Sequence, residues 1–376
     1  MACRSLQPLD SLHPPASRTD PGRQTQTCPA RIKRRHEVRK DTTADRRPAK
    51  KKRKATSERS LEADAKSLKG QSPEPRAESA EGVQTLSSSS SSASLCSAHG
   101  GWTISAADFL AIYQPVELLG EGGYGSVYAG YRIEDHLPVA IKQIEEDDVI
   151  CTPKVIDGKL CQFPLEVELL LKAGAGAGPS GSSAAVMLLD WFFMEDKLVL
   201  VMERPDPSTD LENYLADQGG ALHEDEAKIL MRQLVDAAIE IHARGVFHRD
   251  LKPQNILVET ESLLPRVRLI DFGCGDSFHE GSYSEDRGTF FYTPPEMFRW
   301  RCYSAGPTTV WQLGVVLYEM LTSSIPFATE YKIVHSDLDS IDELSQDCQD
   351  FLRQCLAKSP ERRLTLEQMR LHPWMC

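Results

Sequence analysis

Two short strings in the second half of the chain constrain its fold and chemistry more than any other feature. Residues 248–255 read His-Arg-Asp-Leu-Lys-Pro-Gln-Asn, and residues 271–273 read Asp-Phe-Gly, sixteen positions after Asn255. Together they offer a carboxylate that can take a proton, a lysine that can neutralise an anion, and an amide and a second carboxylate that can hold a divalent cation. If Asp250 and Asp271 were ordinary turn carboxylates, the order and spacing of the two strings would stay unexplained.

Charge divides the chain into two unlike parts. Residues 1–100 carry 20 Lys/Arg and 11 Asp/Glu, a net +9, whereas residues 101–376 carry 23 and 44, a net −21. The first part is rich in Pro, Ser, Arg and Lys, has few aromatics, and holds six consecutive serines at 87–92. Such a segment cannot bury enough apolar surface to offset the entropy of ordering. We therefore predict a disordered basic arm over 1–103 and a folded domain over 104–376.

The arm contains two dense basic clusters, at 31–35 and 46–54. Their spacing resembles a bipartite nuclear-import signal, so we expect nuclear import receptors to bind through 31–54 and the protein to be cytoplasmic and also nuclear. The alternative interpretation, a solvated arm without a targeting signal, remains open. No aromatic residues interleave with the basic ones to stack bases, so we expect no nucleic-acid partner.

Cysteine usage and hydropathy bear on the compartment. The ten cysteines are scattered without a Cys-x-x-Cys pair, which favours reduced thiols in an intracellular protein. The N-terminus has no apolar core typical of a secretion signal. No run approaches the roughly 18 apolar residues of a membrane span, so we expect no membrane association.

Hydrophobic periodicity indicates an α+β chain with two lobes. Short β-type runs come first, and helical periodicity dominates after Pro205. We predict a small β-rich N-lobe over about 104–203, a larger α-helical C-lobe over about 208–376, and a ligand cleft between them. The predicted strands are 113–119, 126–132, 138–144, 186–193 and 197–202; the predicted helices are 164–172, 224–244, 307–321 and 345–356; a Gly/Ala-rich loop is predicted over 173–181.

A glycine-rich turn lies between the first two predicted strands. Residues 120–127 fit G-x-G-x-x-G-x-V, whose backbone N–H groups can close over phosphates. A dinucleotide fold would need a helix after the last glycine, but β-branched and aromatic residues follow. Lys142, at the end of Val-Ala-Ile-Lys (139–142), needs a buried anion, which phosphates and a helix carboxylate would supply. We choose Glu166 as that carboxylate, with Glu168 as the alternative.

These residues resemble a eukaryotic protein kinase domain over 113–376. Pro-Pro-Glu at 294–296 stands where that family usually has Ala-Pro-Glu, and the family partner of Glu296 is matched by Arg363. Lys252 and Thr289 resemble the serine/threonine class. The resemblance implies a two-lobed kinase fold, the cofactors ATP and Mg²⁺, and an active enzyme rather than the alternative, a pseudokinase or scaffold that binds partners without catalysis.

The resemblance also implies roles for individual residues. Asp250 would orient the substrate hydroxyl, and Lys252 would neutralise the migrating phosphoryl group. Lys142 and Glu166 would form the ion pair that holds the ATP phosphates, and Asn255 and Asp271 would bind magnesium. The implied ATP-binding residues are Leu119, Gly120, Glu121, Gly122, Gly123, Tyr124, Gly125, Ser126, Val127, Ala140, Lys142, Met202, Glu203, Leu257 and Ile270.

Within the kinases, the chain is similar to the PIM family. Glu-Arg-Pro-Asp-Pro at 203–207 resembles the PIM hinge, and Thr309 stands where most kinases, but not the PIM group, have an Asp. Proline has no N–H to donate. We therefore expect adenine to donate a hydrogen bond to the Glu203 carbonyl and to accept none at Pro205, with Met202 as gatekeeper.

The PIM resemblance extends to activation and substrates. It implies activity without phosphorylation of the activation segment, residues 274–293. In that segment, Glu280, Glu285 or Asp286 would pair with Arg249. It also implies a monomer that phosphorylates proteins with basic residues near the target Ser/Thr, contacted by Asp210 and Glu212. The family's acidic pair inside the catalytic string is replaced here by Pro-Gln at 253–254, so the substrate motif stays open.

Overall fold

The computed structural model describes residues 103–123, 125–156, 158–175, 183–262 and 264–376. The basic clusters at 31–54 lie outside these ranges, so the import signal stays a prediction. Tyr124 and most of the predicted Gly/Ala-rich loop, from residue 176, also lie outside them. None of the described helices is both long and apolar enough to cross a bilayer.

The N-terminal half forms a five-stranded antiparallel sheet in the order β1-β2-β3-β7-β6, with one long helix, α2, against it. Alternation along β3 sends Val139 and Ile141 to one face, where they are fully buried with Tyr113, and Lys142 to the other. The elements are α1 Ala106–Leu110, β1 Tyr113–Gly122, β2 Gly125–Arg132, β3 Pro138–Glu145, β4 Cys151–Ile156, β5 Lys159–Pro164, α2 Leu165–Gly174, β6 Leu188–Met194 and β7 Lys197–Glu203.

Each of the five predicted strands is present, with ends within three residues of those expected. The predicted helix at 164–172 begins one residue later and runs to Gly174, inside the predicted loop. The β4–β5 hairpin was not predicted. It contains Pro153, and its aliphatic Val155 and Leu160 are 71% and 73% exposed, so it lacks the buried alternation that marks a strand in sequence.

The C-terminal half is mainly helical, with two short sheets, β11-β10-β8 and β12-β9. α4 buries one stripe of apolar side chains and ends before Gly245, whose φ of +74° suits a helix C-terminus. α6 is apolar on nearly all sides, and it is accordingly buried in the core. The elements are β8 Ser208–Asp210, α3 Leu211–Asp217, α4 Glu224–Ala243, β9 Val246–Phe247, β10 Ile256–Glu259, β11 Arg266–Leu269, β12 Asp276–Ser277, α5 Pro295–Trp300, α6 Ala305–Thr322, α7 Glu330–His335, α8 Gln346–Cys355 and α9 Leu366–Leu371.

One buried ion pair fixes the base of the helical half. Both terminal nitrogens, Nη1 and Nη2, of Arg363 donate to the Glu296 carboxylate, at 2.8 and 2.7 Å, and the two side chains are 0% and 2% exposed. Arg363 also donates to the carbonyls of Pro307 and Ala357. The pair expected from the kinase resemblance is therefore present, and it ties the start of α5 to the segment before α9.

A single apolar cluster joins the two halves behind the cleft. It includes Leu169 of α2, Leu200 of β7, Leu230 of α4 and Phe272. Because these residues share one core, the strand that carries Lys142 and the loops that carry Asp250 and Asp271 face each other across the cleft.

Candidate active site

Three predicted site residues meet where β3, α2 and the Asp-Phe-Gly string converge. The Lys142 Nζ donates to Glu166 Oε1 at 2.7 Å and to Asp271 Oδ1 at 2.9 Å. Glu168, the alternative partner, pairs instead with Lys154 and Lys172 at 2.9 and 2.8 Å. Residues two apart on a helix point in different directions, so only one of the two carboxylates reaches the cleft.

Lys142 and Asp271 stabilise each other's charge, whereas burial raises the pKa of Glu166 despite its bond to Lys142. Burial alone would lower the pKa of Lys142, but the Glu166 and Asp271 carboxylates outweigh burial and raise it. Burial would raise the pKa of Asp271, but Lys142 and the Gly273 N–H overcome burial and lower it. Both side chains are therefore charged at neutral pH. Asp271 has a φ of +62°, an uncommon conformation for a residue other than glycine and one found often at functional sites.

The catalytic string folds into a compact network around Asp250, which is 2% exposed. Asp250 Oδ1 accepts a hydrogen bond from the Thr289 N–H at 2.8 Å, and Oδ2 lies 2.9 Å from Lys252 Nζ. Lys252 also donates to Thr289 Oγ1 at 2.8 Å. Asn255 Nδ2 donates to the Asp250 carbonyl at 2.9 Å. The structure thus brings together Asp250, Lys252 and Asn255, with Thr289 of the activation segment completing the group.

His248 connects the two strings. Its Nε2 lies 3.0 Å from the Ile270 carbonyl, and its Nδ1 lies 3.3 Å from the Asp250 nitrogen. A carbonyl needs a donor and an amide N–H needs an acceptor, so one neutral tautomer satisfies both contacts. Burial lowers the pKa of His248, which keeps the ring neutral, and the Phe272 ring packs against it at 4.8 Å.

The predicted glycine loop is the end of the β1–β2 hairpin. Gly120, Glu121 and Gly122 of β1 pair with Val127, Ser126 and Gly125 of β2. A Cβ on Gly125 would lie 2.0 Å from the Gln143 carbonyl oxygen, and its φ is +104°, so the fold itself requires this glycine. A Cβ on Gly120, Gly122 or Gly123 would meet open space. At those three positions the space above the loop stays free for a ligand.

The cleft wall carries the other predicted nucleotide contacts. Ala140 of β3 lies beside Met202 of β7, which is 7% exposed. Leu257 and Ile270 are half-buried and pack against the main core, and Leu119 is 52% exposed. A cavity of about 310 Å³ lies between the loop at Gly123, the N-terminal end of α2 and Gly273, and its lining is formed by residues other than those of this wall.

The Glu203 side chain turns away from the cleft. It accepts hydrogen bonds from the Met187 N–H at 2.7 Å and from the buried Arg268. Arg268 also donates to the Ala185 carbonyl and to Glu259. Because these bonds occupy the Glu203 side chain, the expected contact with adenine is the main-chain carbonyl of Glu203. Arg268, which sits in a short strand without a motif, is a hinge support that sequence reasoning missed.

Two carboxylates of the activation segment form ion pairs with Arg249. The buried Arg249 guanidinium pairs with Asp276 and, at 3.3 Å, with Glu285. The Tyr303 hydroxyl donates to the Glu285 carbonyl at 2.8 Å. Of the three acids expected to serve Arg249, Glu285 therefore does so, while Asp286 lies 3.9 Å from Arg301 instead.

The two predicted substrate residues differ in their surroundings. Both oxygens of Asp210 accept bonds from Asn213, because Asp210 caps the N-terminus of α3. Exposed Glu212 accepts a hydrogen bond from Gln254 of the catalytic string at 2.9 Å, so it lies beside the reacting groups. Of the two, Glu212 has the more open carboxylate.

A further acid near the reacting groups was not predicted. Glu319 of α6 accepts a bond from the buried Tyr292 hydroxyl at 2.5 Å. Burial, aided by the charge of Glu212, raises the pKa of Glu319 to about 7, although the Tyr292 bond opposes the shift. Its position inside an apolar helix hid it, and no signal in the sequence distinguishes it from a surface glutamate.

Known proteins match this chain over the described site. Residues 113–375 match the protein kinase domain family. The serine/threonine-protein kinase pim-2 of Danio rerio is 38% identical over 265 residues, 70% of this chain and 84% of the zebrafish protein. The chain belongs to the protein kinase family. Its likeness to pim-2 places it among the PIM-like serine/threonine kinases.

Other relatives agree on the class of this kinase. The serine/threonine-protein kinase prk-2 of Caenorhabditis elegans is 34% identical over 261 residues, 68% of this chain and 56% of the worm protein. Sperm motility kinase 2B of Mus musculus is 32% identical over 275 residues, 71% of this chain and 52% of the mouse protein. The kinase thus spans about half the length of these two relatives.

Proposed function

We propose that this kinase transfers the γ-phosphoryl group of ATP to Ser or Thr hydroxyls of basic protein segments, without needing phosphate on its own activation segment. The observation that carries the proposal is the network of Asp250, Lys252 and Thr289. It holds a carboxylate, an ammonium and the activation segment together within hydrogen-bond distance. A scaffold that only binds partners has no use for this arrangement.

The protein groups present suit ATP and magnesium. Asp271 offers an ionised carboxylate and Asn255 an amide oxygen, which are the hard oxygen ligands that Mg²⁺ takes, and phosphate oxygens commonly supply others. A bound magnesium ion neutralises phosphate charge and orients the outer phosphates. Lys142, fixed by Glu166, presents a charged ammonium to the same space.

The reaction depends on the position of one carboxylate. Asp250 accepts the Thr289 N–H on one oxygen, so its second oxygen is directed toward a hydroxyl entering over the activation segment. That oxygen orients the hydroxyl and takes its proton as the new bond to the γ-phosphorus forms and the bond from that phosphorus to the leaving ADP oxygen breaks. Lys252, between Asp250 and Thr289, balances the charge that develops on the transferred group.

The preference for basic segments is supported by charge near this carboxylate. Besides burial, the negative charges of Glu319 and Glu212 raise the pKa of Tyr292, and the charge of Glu212 raises that of Glu319. The part of the chain from 101 to 376 has a net charge of −21. Activity without phosphorylation is supported by Arg249, whose guanidinium already has Asp276 and Glu285 as anionic partners.

A peptide phosphorylation assay tests the proposal. Asp250→Asn should lower kcat by roughly 10³-fold or more, the scale for removal of a catalytic group. Asp217→Asn, the same change at the exposed end of α3, is the matched control and should keep full activity. Equal activity of the two variants, or no phosphopeptide from the wild type with Mg·ATP, would refute catalysis and favour a scaffold.

A further inference from the structure

Four main-chain groups surround the catalytic carboxylate, and each is bonded to a side chain. The Asp250 N–H donates to His248 and the Asp250 carbonyl accepts from Asn255. On either side, the Arg249 carbonyl accepts from Gln312 Nε2 at 2.6 Å, and the Leu251 N–H donates to Gln312 Oε1 at 3.3 Å. One glutamine amide of α6 therefore serves both peptide units that flank Asp250.

The orientation of this amide follows from its partners. A carbonyl oxygen can only accept and an N–H can only donate, so the NH₂ group must face Arg249 and the oxygen must face Leu251. Gln312 is 3% exposed. A buried amide that lost either contact would leave an unpaired polar group, which is unfavourable.

The loop conformation at this point needs external support. Arg249 has a φ of +69°, a conformation that is costly for a residue with a Cβ and persists only where the surroundings hold it. Thr309 lies one turn earlier on α6 and is also buried, but its hydroxyl contacts His242 Nε2 at 3.1 Å. Among the contacts of the described residues, α6 reaches the main chain beside Asp250 through Gln312.

We propose that Gln312 is the positioning residue of the catalytic loop: its amide clamps the peptide units on both sides of Asp250 and thereby aims the carboxylate at the substrate hydroxyl. The inference rests on the proposed phosphoryl transfer, because it assigns a part in that reaction. Gln312 is buried and its amide is taken up by main-chain atoms of the loop, so we expect it to contact neither substrate nor nucleotide. Its loss should therefore lower kcat and leave nucleotide binding intact.

Steady-state kinetics of the full-length protein test this role with three variants. Gln312→Leu removes both contacts and should lower kcat by about 10- to 100-fold, the effect of a small misplacement of a reacting group, while the Kd for ADP from calorimetry stays at the wild-type value. Thr309→Val, a buried change one turn away on the same helix, should keep the wild-type kcat.

The pH dependence of kcat in the Gln312→Glu variant distinguishes positioning of Asp250 from simple packing. A protonated carboxyl can donate to the Arg249 carbonyl and accept from Leu251 as the amide does, whereas the ionised form cannot donate. Burial raises the pKa of such a group. The ratio of variant to wild-type kcat should therefore rise as the pH falls from 8 to 6, a trend that a purely structural role would not produce.

The outcomes distinguish this inference from the proposed function. An inactive wild type overturns both. An active wild type with equal kcat for Gln312→Leu and Thr309→Val overturns the role of Gln312 alone, as does a flat pH ratio for Gln312→Glu. If Gln312→Leu does not fold, the pH ratio of Gln312→Glu decides.

Discussion

Glu319 should make the recognition of basic substrates depend on pH in the neutral range. Its pKa is about 7, because burial and the charge of Glu212 oppose ionisation more than the Tyr292 hydrogen bond favours it. With that pKa, about one tenth of the carboxyls are ionised at pH 6 and about nine tenths at pH 8. A substrate arginine that pairs with the carboxylate should therefore gain up to about tenfold in kcat/KM over this interval.

The assay compares two peptides that differ only at the basic position, one with arginine and one with citrulline, which has nearly the same shape but no charge. The ratio of their kcat/KM values cancels the pH dependence of the chemical step. We expect this ratio to rise about tenfold from pH 6 to pH 8 with a midpoint near 7. Glu319→Gln should make the ratio low and independent of pH.

The tyrosine gives a second control on the same carboxyl. Tyr292→Phe removes the hydrogen bond that stabilises the ionised form, so the midpoint of the wild-type curve should move to higher pH. A wild-type ratio that stays constant between pH 6 and pH 8, or a Glu319→Gln variant that retains the full slope, would show that substrate charge is read elsewhere.

The remaining predictions concern the scaffold, the activation segment and the hinge. Arg363→Met strands the Glu296 carboxylate in the core and should cost about 3–5 kcal/mol, seen in thermal unfolding as a Tm lower by roughly 6–20 °C; a loss under 1 kcal/mol would contradict a structural role for the pair. Protein made with a phosphatase present should still turn over, and Glu285→Gln should lower its kcat by only about 1.5- to 5-fold, as for an exposed ion pair; dependence on added phosphate would count against this. With 1-deaza-ATP, which lacks the N1 acceptor, KM for nucleotide should equal that of ATP because Pro205 has no N–H; a several-fold rise would reveal a hinge donor.

Local patterns predicted the parts of the fold that local physics determines. Alternation in β3 and the helical period of α4 reflect burial of one face, which a single segment shows in its own sequence. The β4–β5 hairpin failed this test because its aliphatic residues Val155 and Leu160 face solvent. Its register is set by pairing with a partner strand, which no single segment reveals.

The same limit applies to the site. The two strings placed Asp250, Lys252, Asn255 and Asp271 in sequence, and their spacing was enough to predict that they act together. The choice between Glu166 and Glu168 depends on which face of α2 meets the cleft, and the contacts of Lys142 and Lys154 in the structure decide it. Gln312 could not be found in this way, because its partners are main-chain atoms that lie 61 and 63 positions away and carry no side-chain signature.

The departure at Pro253-Gln254 has a structural consequence for substrate charge. An acid at position 254 would face Glu212 at hydrogen-bond distance, and two carboxylates so close raise each other's pKa and share less than two charges. Gln254 is neutral and instead donates a hydrogen bond to Glu212 at 2.9 Å. The negative charge beside the reacting groups is thus carried by Glu212 of α3 and Glu319 of α6 rather than by the catalytic string. A basic side chain of the substrate is therefore expected to lie between these two helices, away from the backbone of the loop that holds Asp250.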